Sequence, residues 1–315
     1  MTDQSGIFVT GAGGFIGRAI IDQAVLENRR IFAGLRQFKP VPAGVTAVEI
    51  GDLGTIGDLF GGGFQDVAGQ CDVVIHAAGL AHRYGPDPAA LNRVNVEAAR
   101  RLALLSVRHG VRRFILISSA SVYGKSRADI LSERSEVAPD DDYAASKWAA
   151  EQAVCAALAG TATQLCVIRP AAVIGPGGAG NIPRLIGLIR RGVPLPFAAI
   201  DNRRAFVALS DVAALIMRAA TCAAPPACVM AAHPVPISTP DLIRALASGL
   251  GRNPRLFRCP PILLSGAARL LGRSGLWRSL SGQFVVDPDC ATTLLHFEFK
   301  TSVPDALALT ARGFS

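Results

Sequence analysis

Hydrophobic residues in the first half of the chain follow two patterns that alternate along the sequence. Short apolar runs predict buried strands at residues 7–10, 30–35, 45–50, 73–77, 113–118 and 164–169. Longer stretches with apolar residues at helical spacing predict helices at 17–27, 56–60, 91–109 and 143–158. Because the strands lack a polar face and alternate with helices, we expect an α/β fold with a doubly wound parallel sheet covered on both faces.

The pattern changes after Pro170. A glycine-rich loop is predicted at 175–178 and a short helix at 183–191, and ten prolines punctuate the chain between 194 and 261. This pattern predicts a sheet domain at 1–169 and a smaller, loop-rich C-terminal lobe at 170–315 that forms the substrate pocket. Residues 203–221 are expected to return to the sheet domain.

Composition and charge narrow the classes of partner. Half of the 315 residues are hydrophobic and 18% are charged, as in a globular α/β protein. The net charge is +8, but the arginines are scattered and only 6% of the residues are aromatic, so nucleic-acid binding is disfavoured. An excess of arginine equally suits a phosphate-bearing cofactor and substrate.

The seven cysteines show no spacing typical of a metal site. We therefore expect reduced thiols, no bound metal and a cytoplasmic protein. We expect no signal peptide, because residues 7–9 already have the pattern of a core strand. Charged residues, glycine or prolines interrupt the apolar stretches at 154–174 and 211–232. Neither stretch is expected to span a membrane.

A glycine-rich turn joins the first predicted strand to the first predicted helix. Its sequence is Gly11-Ala12-Gly13-Gly14-Phe15-Ile16-Gly17. Glycines allow a tight turn and a close approach of the backbone to a pyrophosphate, which then lies at the positive end of the helix. Its position between a strand and a helix favours a dinucleotide site over a turn without a ligand.

Two further segments are placed to contact the same dinucleotide. Asp52, in Gly51-Asp52-Leu53 after the third strand, is expected to accept a hydrogen bond from the adenine amino group, with a helix-capping aspartate as the alternative. Ala77-Ala78-Gly79 ends the fourth strand with small residues that leave room for a flat ring or a ribose.

Arg36 bears on the choice between NAD and NADP. NAD-binding proteins commonly have an acidic residue at the end of the second strand, whereas an arginine suits the 2′-phosphate of NADP. The sequence there is Ala33-Gly34-Leu35-Arg36, without an acid. It favours NADP, with a solvated surface charge as the alternative for Arg36.

Tyr143 and Lys147 are four residues apart in a predicted helix and so share one face. The free pKa of tyrosine is about 10, but a nearby ammonium favours the phenolate and lowers that pKa. Ser119 offers a hydroxyl that could hold a substrate oxygen while the tyrosine moves a proton. The three residues suit the interconversion of an alcohol and a ketone; a chance pair on a solvated helix is the alternative.

The motifs occur in one order along the chain: the glycine loop, 51–53, 74–79, Asn95, 118–124, Tyr143-x-x-x-Lys147 and Arg169-Pro170. Together they resemble the extended short-chain dehydrogenase/reductases, specifically the NAD-dependent epimerase/dehydratase family acting on nucleotide sugars. The resemblance covers residues 6–221 well and the C-terminal lobe more loosely. It implies a Rossmann-like fold, an NAD or NADP cofactor and a nucleotide-diphosphate sugar as substrate.

The resemblance also implies roles for single residues. Tyr143 is then the catalytic acid/base, Lys147 lowers its pKa and binds the nicotinamide ribose, and Ser119 binds the reacting sugar oxygen. Ser118 and Ser121 are expected to be structural. The implied cofactor-binding residues are Gly11, Gly14, Phe15, Ile16, Gly17, Arg36, Asp52, Leu53, Ala77, Ala78, Gly79, Asn95, Tyr143, Lys147 and Pro170.

Asn181 and Arg204 match positions that hold the nucleotide diphosphate in the family. An arginine has the planar fork of donors that suits a phosphate. For Arg204 a surface ion pair with Asp201 or Asp211 is the alternative.

Two departures from the family pattern limit which of the family's reactions and substrates can be expected for this chain. Residues 169–176 lack the asparagine and tyrosine often found in the family motif, which weakens the transfer of substrate identity. No Asp-Glu pair follows Ser119, so a dehydratase is disfavoured. A 4-epimerase or a 4-keto reductase remains, resembling bacterial enzymes that make deoxy- or amino-sugars for surface polysaccharides. An NADP preference would favour the reductase, which must release spent cofactor.

Several alternatives remain beside this interpretation. A carbonyl reductase for a non-sugar substrate or a non-catalytic NADP-binding sensor would also carry the glycine loop, but retention of the Ser-Tyr-Lys set disfavours the sensor. The stretch 260–277, with leucines, arginines and Trp277, could lie on a membrane surface. We expect instead a helix packed over a pocket, and no membrane partner. The family further implies a homodimer through the helices at 91–109 and 143–158.

Overall fold

The computed structural model describes residues 6–54, 61–80, 87–272 and 274–314. The predicted helix at 56–60 lies outside these described residues. The strands of the described chain are β1 (Gly6–Thr10), β2 (Ile31–Leu35), β3 (Val45–Glu49), β4 (Cys71–His76), β5 (Arg113–Ile117), β6 (Ile130–Leu131), β7 (Gln164–Pro170), β8 (Ala172–Ile174), β9 (Phe206–Ala208), β10 (Cys228–Ala231) and β11 (Val285–Val286). The α-helices are α1 (Phe15–Leu26), α2 (Gly61–Ala68), α3 (Pro88–Leu91), α4 (Ala98–Arg108), α5 (Asp142–Leu158), α6 (Asn181–Arg190), α7 (Leu209–Thr221), α8 (Thr239–Gly249), α9 (Pro261–Leu270), α10 (Ser274–Ser281) and α11 (Val303–Arg312).

Seven of these strands form one parallel sheet in the order β3-β2-β1-β4-β5-β7-β10. The chain therefore winds outward from β1 in both directions, and the carboxyl ends of the strands meet at one edge. Ligands of open α/β sheets bind in the crevice at that edge. The doubly wound, Rossmann-like α/β fold is confirmed.

Helices cover both faces of the sheet. On one face α1 packs against α7, and Ile20 and Ile216 lie in the core between them and the strands. On the other face α2, α4 and α5 contribute Phe64, Leu102 and Val154 to a second core. Because both faces of the strands are buried, their sequences are apolar throughout instead of alternating.

Two helices of the first half differ most from the sequence prediction. The helix predicted at 91–109 begins at Pro88, where Asp87 accepts a hydrogen bond from the Ala89 N–H at 3.2 Å, and it includes a π-helical stretch over Asn92–Glu97. Helix α2 was not predicted, because three glycines at its start lower helix propensity. Phe64, which is completely buried, anchors it instead.

The residues after Pro170 contribute both to the sheet and to a separate core. β10 joins the sheet later in the chain than the predicted return at 203–221. Helices α6, α8 and α11 enclose the separate core with β8 and β9, which pair in parallel. The predicted loop at 175–178 is present, and the helix predicted at 183–191 begins at Asn181. The division into two domains stays a prediction.

Helices α9 and α10 pack together and form a helical hairpin, residues 261–272 and 274–281, at the surface. No residue of α9 is buried: Ile262 is 82%, Leu263 64% and Leu270 90% exposed. The expectation that this stretch packs over a pocket is therefore wrong for α9, which turns apolar side chains to solvent. Among the described residues, no helix is long and apolar enough to cross a membrane.

Candidate active site

Gly11 and Gly17 allow the turn after β1 to be tight. Gly11 has φ +68°, in the left-handed region, and a Cβ there would lie 2.6 Å from the amide nitrogen of Ala78. A Cβ on Gly17 would lie 2.0 Å from the carbonyl oxygen of Gly11. Side chains at these positions would meet backbone, so both glycines are needed to bring α1 against the ends of β1 and β4.

The glycine loop leads directly into the first turn of α1. Gly14 precedes the helix with an extended backbone and donates its N–H to the carbonyl of Gly11 at 2.8 Å. Phe15 and Ile16 begin the helix and are half-buried, whereas Gly13 and Gly14 are exposed. A helix N-terminus leaves N–H groups unpaired and carries positive potential. The loop therefore fits the pyrophosphate of a dinucleotide.

Arg36 and Asp52 follow the neighbouring strands β2 and β3 and lie close together. Arg36 Nη1 is 3.6 Å from Asp52 Oδ2, and the two side chains are 72% and 47% exposed. Asp52 also accepts a hydrogen bond from the Gly54 N–H at 2.9 Å. The predicted phosphate and adenine contacts are thus near enough to serve one ligand, whereas the Leu53 side chain is buried in the adjoining core.

Asn95 ties the loop after β4 to helix α5. Its Oδ1 accepts from the Leu80 N–H at 2.7 Å, and its Nδ2 donates to Ser146 Oγ at 2.9 Å. A Cβ on Gly79 would lie 3.0 Å from the same Oδ1. Asn95 therefore shapes the edge formed by residues 77–79, and its own contact with a cofactor stays a prediction.

Ser119 and Tyr143 are in direct contact. Asp141 caps α5 by accepting from the Ala144 N–H at 2.8 Å, which positions Tyr143 in the first turn of the helix. The Tyr143 phenol shares a hydrogen bond with the Ser119 side chain. Ser119 Oγ also accepts from the N–H and the hydroxyl of Ser121, at 3.1 and 2.9 Å. Ser121 thereby orients the Ser119 hydroxyl.

Lys147 lies one turn further along α5 and is buried. Its Nζ donates to the carbonyl oxygen of Ile117 at 2.6 Å, and a Cβ on Gly79 would lie 3.8 Å from that nitrogen. Burial lowers the pKa of Lys147 to about 8, and the charge of Glu151 acts in the opposite direction. The amine is therefore close to the Gly79 edge, where the ribose is predicted to bind.

The pKa of Tyr143 differs from the sequence expectation. Burial raises it above its usual value, the hydrogen bond with Ser119 lowers it, and the charge of Asp141 raises it further. The expected lowering is therefore wrong for this structure, because loss of water disfavours the phenolate more than the neighbouring groups stabilise it. Tyr143 is a neutral phenol at neutral pH and can donate a proton.

A buried ion pair that sequence analysis missed joins the elements of the site. Arg169, in β7, binds Glu151 of α5 through Nε at 3.0 Å and Nη2 at 2.5 Å. Glu151 also accepts from the Ser118 hydroxyl, and Arg169 donates to the Tyr123 hydroxyl. The network connects the backbone next to Ser119, helix α5 and the residue before Pro170. The available signal was the position of Glu151, four residues after Lys147 on one helix face.

His76, the last residue of β4, is a second residue that sequence analysis did not assign. It is buried, and its Nδ1 lies 2.8 Å from Thr10 Oγ1. Burial, together with the charge of Lys147, lowers the pKa of His76 to about 3. The ring is therefore neutral at physiological pH and adds no second positive charge beside Lys147.

A cavity of about 170 Å³ lies beside Ser119 and is also lined by Lys125, Pro170, Arg204 and Phe284. Arg204 Nη1 donates to the carbonyl oxygen of Gly282 at 3.0 Å, and burial lowers the pKa of Arg204. The structure thus brings Ser119, Pro170 and Arg204 together in one wall.

Arg204 was considered as a partner of Asp201 or Asp211, but the ion pair with Asp201 is formed by Arg203. Asp201 lies 3.8 Å from Arg203 Nη1, and Asp211 accepts from the Thr301 N–H at 3.1 Å. Asn181 is exposed at the first position of α6, and the cavity walls named above come from other segments. Its contact with a substrate stays a prediction.

A family comparison agrees with this fold and site. The model of the NAD dependent epimerase/dehydratase family matches residues 7–227, more than two thirds of the chain. The chain therefore belongs to this family and is an enzyme of the extended short-chain dehydrogenase/reductase type. The resemblance seen in the motifs is confirmed.

Individual relatives extend the likeness beyond the matched region. The UDP-glucose 4-epimerase of Vibrio cholerae is 28% identical over 319 residues, which cover 98% of this chain and 95% of that protein. The N-acetyl-alpha-D-glucosaminyl-diphospho-ditrans,octacis-undecaprenol 4-epimerase of Escherichia coli O157:H7 is 27% identical over 213 residues, 67% of this chain and 61% of that protein. The structure of MoeE5 in complex with UDP-glucose and NAD is 26% identical, covers 98% of both chains and has a TM-score of 0.76.

Proposed function

We propose that this enzyme inverts the configuration at C4 of a nucleotide-diphosphate sugar, with NAD as its cofactor. The observation that carries the proposal is the hydrogen bond between Ser119 and Tyr143 beside a cavity that Arg204 also lines, with Lys147 one helical turn away. Two relatives described as 4-epimerases and a neighbouring structure that holds UDP-glucose and NAD support it.

The proposed residue roles follow from where the proton of the sugar hydroxyl goes in each step. Oxidation of the C4 alcohol removes a hydride from the carbon and a proton from the hydroxyl. NAD bound at the glycine loop would supply the hydride acceptor for this oxidation and the hydride donor for the reduction that follows. Ser119 holds the C4 oxygen. For the oxidation step the phenol of Tyr143 first loses its own proton to solvent, a loss that the positive charges of Lys147 and of a bound cofactor would favour, and the phenolate then takes the hydroxyl proton. In the reduction step the phenol gives that proton back to the sugar oxygen. Lys147 binds the ribose and contributes positive charge beside the phenol.

Cationic groups suit the diphosphate end of the substrate. Arg204 carries a donor fork, and Lys125 lies 2.7 Å from Asp141 on the same cavity wall. Arg204 now donates to backbone carbonyl groups. A diphosphate bound against this wall would accept charge-assisted hydrogen bonds from Arg204 in their place. Asn181 is proposed as a further contact at the start of α6.

The proposal is tested by following the sugar and the cofactor separately. We expect purified enzyme to interconvert one C4 pair, such as UDP-glucose and UDP-galactose or UDP-glucuronic acid and its epimer, as resolved by NMR without net formation of NADH. Tyr143→Phe should lower kcat by roughly 10²- to 10⁴-fold and leave the fold intact. Stoichiometric consumption of NADPH with a 4-keto nucleotide sugar, without epimerisation, would establish the reductase instead.

A sugar linked through its diphosphate to a polyprenol is a second candidate substrate. The exposed apolar helix α9 favours it, as does the Escherichia coli relative, whose described substrate carries undecaprenol. The chemistry at C4 is unchanged, because Ser119 and Tyr143 act on the sugar alone. Turnover of a polyprenyl-diphosphate sugar in detergent, but of none of the nucleotide sugars, would select this candidate.

We also propose that the enzyme is cytoplasmic and forms a homodimer. All seven cysteines are free thiols, which fits the reducing cytoplasm. A homodimer through α4 and α5 is proposed from the family resemblance. Light scattering of the purified chain tests the dimer directly, and a monomer at working concentration would refute it.

A further inference from the structure

The segment from residue 242 to residue 286 has an unusually one-sided charge. It contains seven arginines and neither aspartate nor glutamate, in a chain whose net charge is +8. The arginines are Arg244, Arg252, Arg255, Arg258, Arg269, Arg273 and Arg278. Arg252, Arg255, Arg258 and Arg269 are exposed. Such a segment attracts an anionic surface and repels a second copy of itself.

The α9 helix within this segment turns its apolar residues to solvent instead of to the protein core. At 100° per residue, Ile262, Leu263, Gly266, Ala267 and Leu270 share the solvent-facing side, and all are exposed. The opposite side, with Leu264 and Ala268, is only half-buried. A helix of a water-soluble domain normally turns its apolar stripe to the core.

Arginines flank this apolar face at both ends. Arg258 precedes the helix and Arg269 lies in its last turn. Phe257, just before Arg258, is 48% exposed, and Leu271, just after the helix, is 72% exposed. An apolar face bordered by cationic side chains and an aromatic ring is typical of helices that lie in the interface of a membrane.

The hairpin is directly connected to the wall of the cavity beside Ser119. Asn202 Nδ2 donates to the carbonyl of Leu280 in α10 at 2.9 Å, and Arg204 donates to that of Gly282, just after α10, at 3.0 Å. Phe284, two residues further on, lines the cavity itself. Helix α10, which packs against α9, is therefore joined to the wall of the substrate cavity by hydrogen bonds.

We propose that the α9–α10 hairpin docks the enzyme on an anionic lipid surface. The apolar side chains of α9 enter the boundary between headgroups and acyl chains, and the surrounding arginines bind the anionic headgroups. No helix of the described chain can span the bilayer, so the association is peripheral. A second copy is a poorer occupant of the same face, because it would bring two strongly cationic segments together. Docking does not depend on which sugar the enzyme uses.

Vesicle sedimentation tests the docking with the full-length enzyme. We expect it to sediment with vesicles of phosphatidylethanolamine and phosphatidylglycerol but not with vesicles of phosphatidylcholine alone. The combined variant Ile262→Gln, Leu263→Gln, Leu270→Gln should lower the partition coefficient at least about tenfold, since three apolar side chains no longer enter the bilayer. Arg269→Gln should weaken binding at low salt and have less effect at high salt.

A matched control separates docking through α9 from nonspecific binding of exposed apolar side chains to vesicles. Leu26, on α1, is 77% exposed, so Leu26→Gln removes an equally exposed apolar side chain elsewhere. Its vesicle binding should equal that of wild type. The proposal is overturned if wild type ignores anionic vesicles, or if the α9 variant and Leu26→Gln bind alike. Loss of dimers in the α9 variant without any vesicle binding would identify a second copy as the occupant, and would also overturn it.

Discussion

The Nζ of Lys147 donates to the carbonyl oxygen of Ile117 at 2.6 Å, so α5 is joined to the end of β5 directly before the serines of the site. The contact holds an amine in a buried position, and burial lowers its pKa to about 8. Ile117 therefore determines where Lys147 lies, whereas the loss of water determines how easily it loses its proton.

Lys147→Met should change how stability depends on pH. The folded pKa of Lys147 is about 8 and the usual value is 10.5, so between these values the unfolded state binds more protons and the free energy of unfolding rises with pH. The variant lacks this rise. Relative to wild type it should lose up to about 3 kcal/mol of stability between pH 7 and pH 10.5. Urea unfolding at several pH values measures it, and a pH-independent difference would contradict the assignment.

Arg36→Ala should affect NADP and NAD differently. The guanidinium is exposed beside Asp52, where it can bind a 2′-phosphate that NAD lacks. NADP affinity should fall about tenfold or more, and NAD affinity should change little. Isothermal titration with both cofactors gives the ratio, and Arg252→Ala, an exposed arginine of the C-terminal part, is the control. Equal NADP affinity in wild type and Arg36→Ala would remove Arg36 from the site.

Gly17→Ala and Gly13→Ala form a matched pair within one loop. A Cβ on Gly17 would lie 2.0 Å from the Gly11 carbonyl oxygen, whereas a Cβ on Gly13 would first meet Leu35 at 3.8 Å. Gly17→Ala should cost about 1–3 kcal/mol of stability and weaken cofactor binding, because α1 must move away from the loop. Gly13→Ala should stay close to wild type. Thermal unfolding with and without NAD compares them, and equal melting temperatures would refute the tight packing.

Glu151→Gln should destabilise the fold strongly. It leaves the buried guanidinium of Arg169 without its counter-charge, a change that costs roughly 3–5 kcal/mol, and Glu151→Gln with Arg169→Met should recover part of the loss. The exposed pair between Arg244 and Asp241 supplies the control, since Arg244→Gln should cost at most about 1 kcal/mol. Chemical denaturation of the four proteins tests this. A Glu151→Gln cost as small as that of Arg244→Gln would mean that water reaches the pair.

Much of the fold and part of the site could be predicted from local patterns. Apolar runs at strand length and helical spacings identified the strands and helices of the first half, because burial on both faces leaves that signature in the sequence. The glycine positions and the spacing of Tyr143 and Lys147 identified the loop and one helix face. Helix α2 was missed, because its glycines hide a helix that is stabilised by one buried phenylalanine.

The sequence alone determined the order of the elements, the family and the residue types at the site, since these depend on spacing along the chain. Only the tertiary structure decided that the pKa of Tyr143 rises, that Glu151 pairs with Arg169, and that α9 turns its leucines to solvent. Each depends on how much water remains around a side chain and on which distant segment packs beside it. Loss of water and long-range packing arise only when the elements come together in three dimensions.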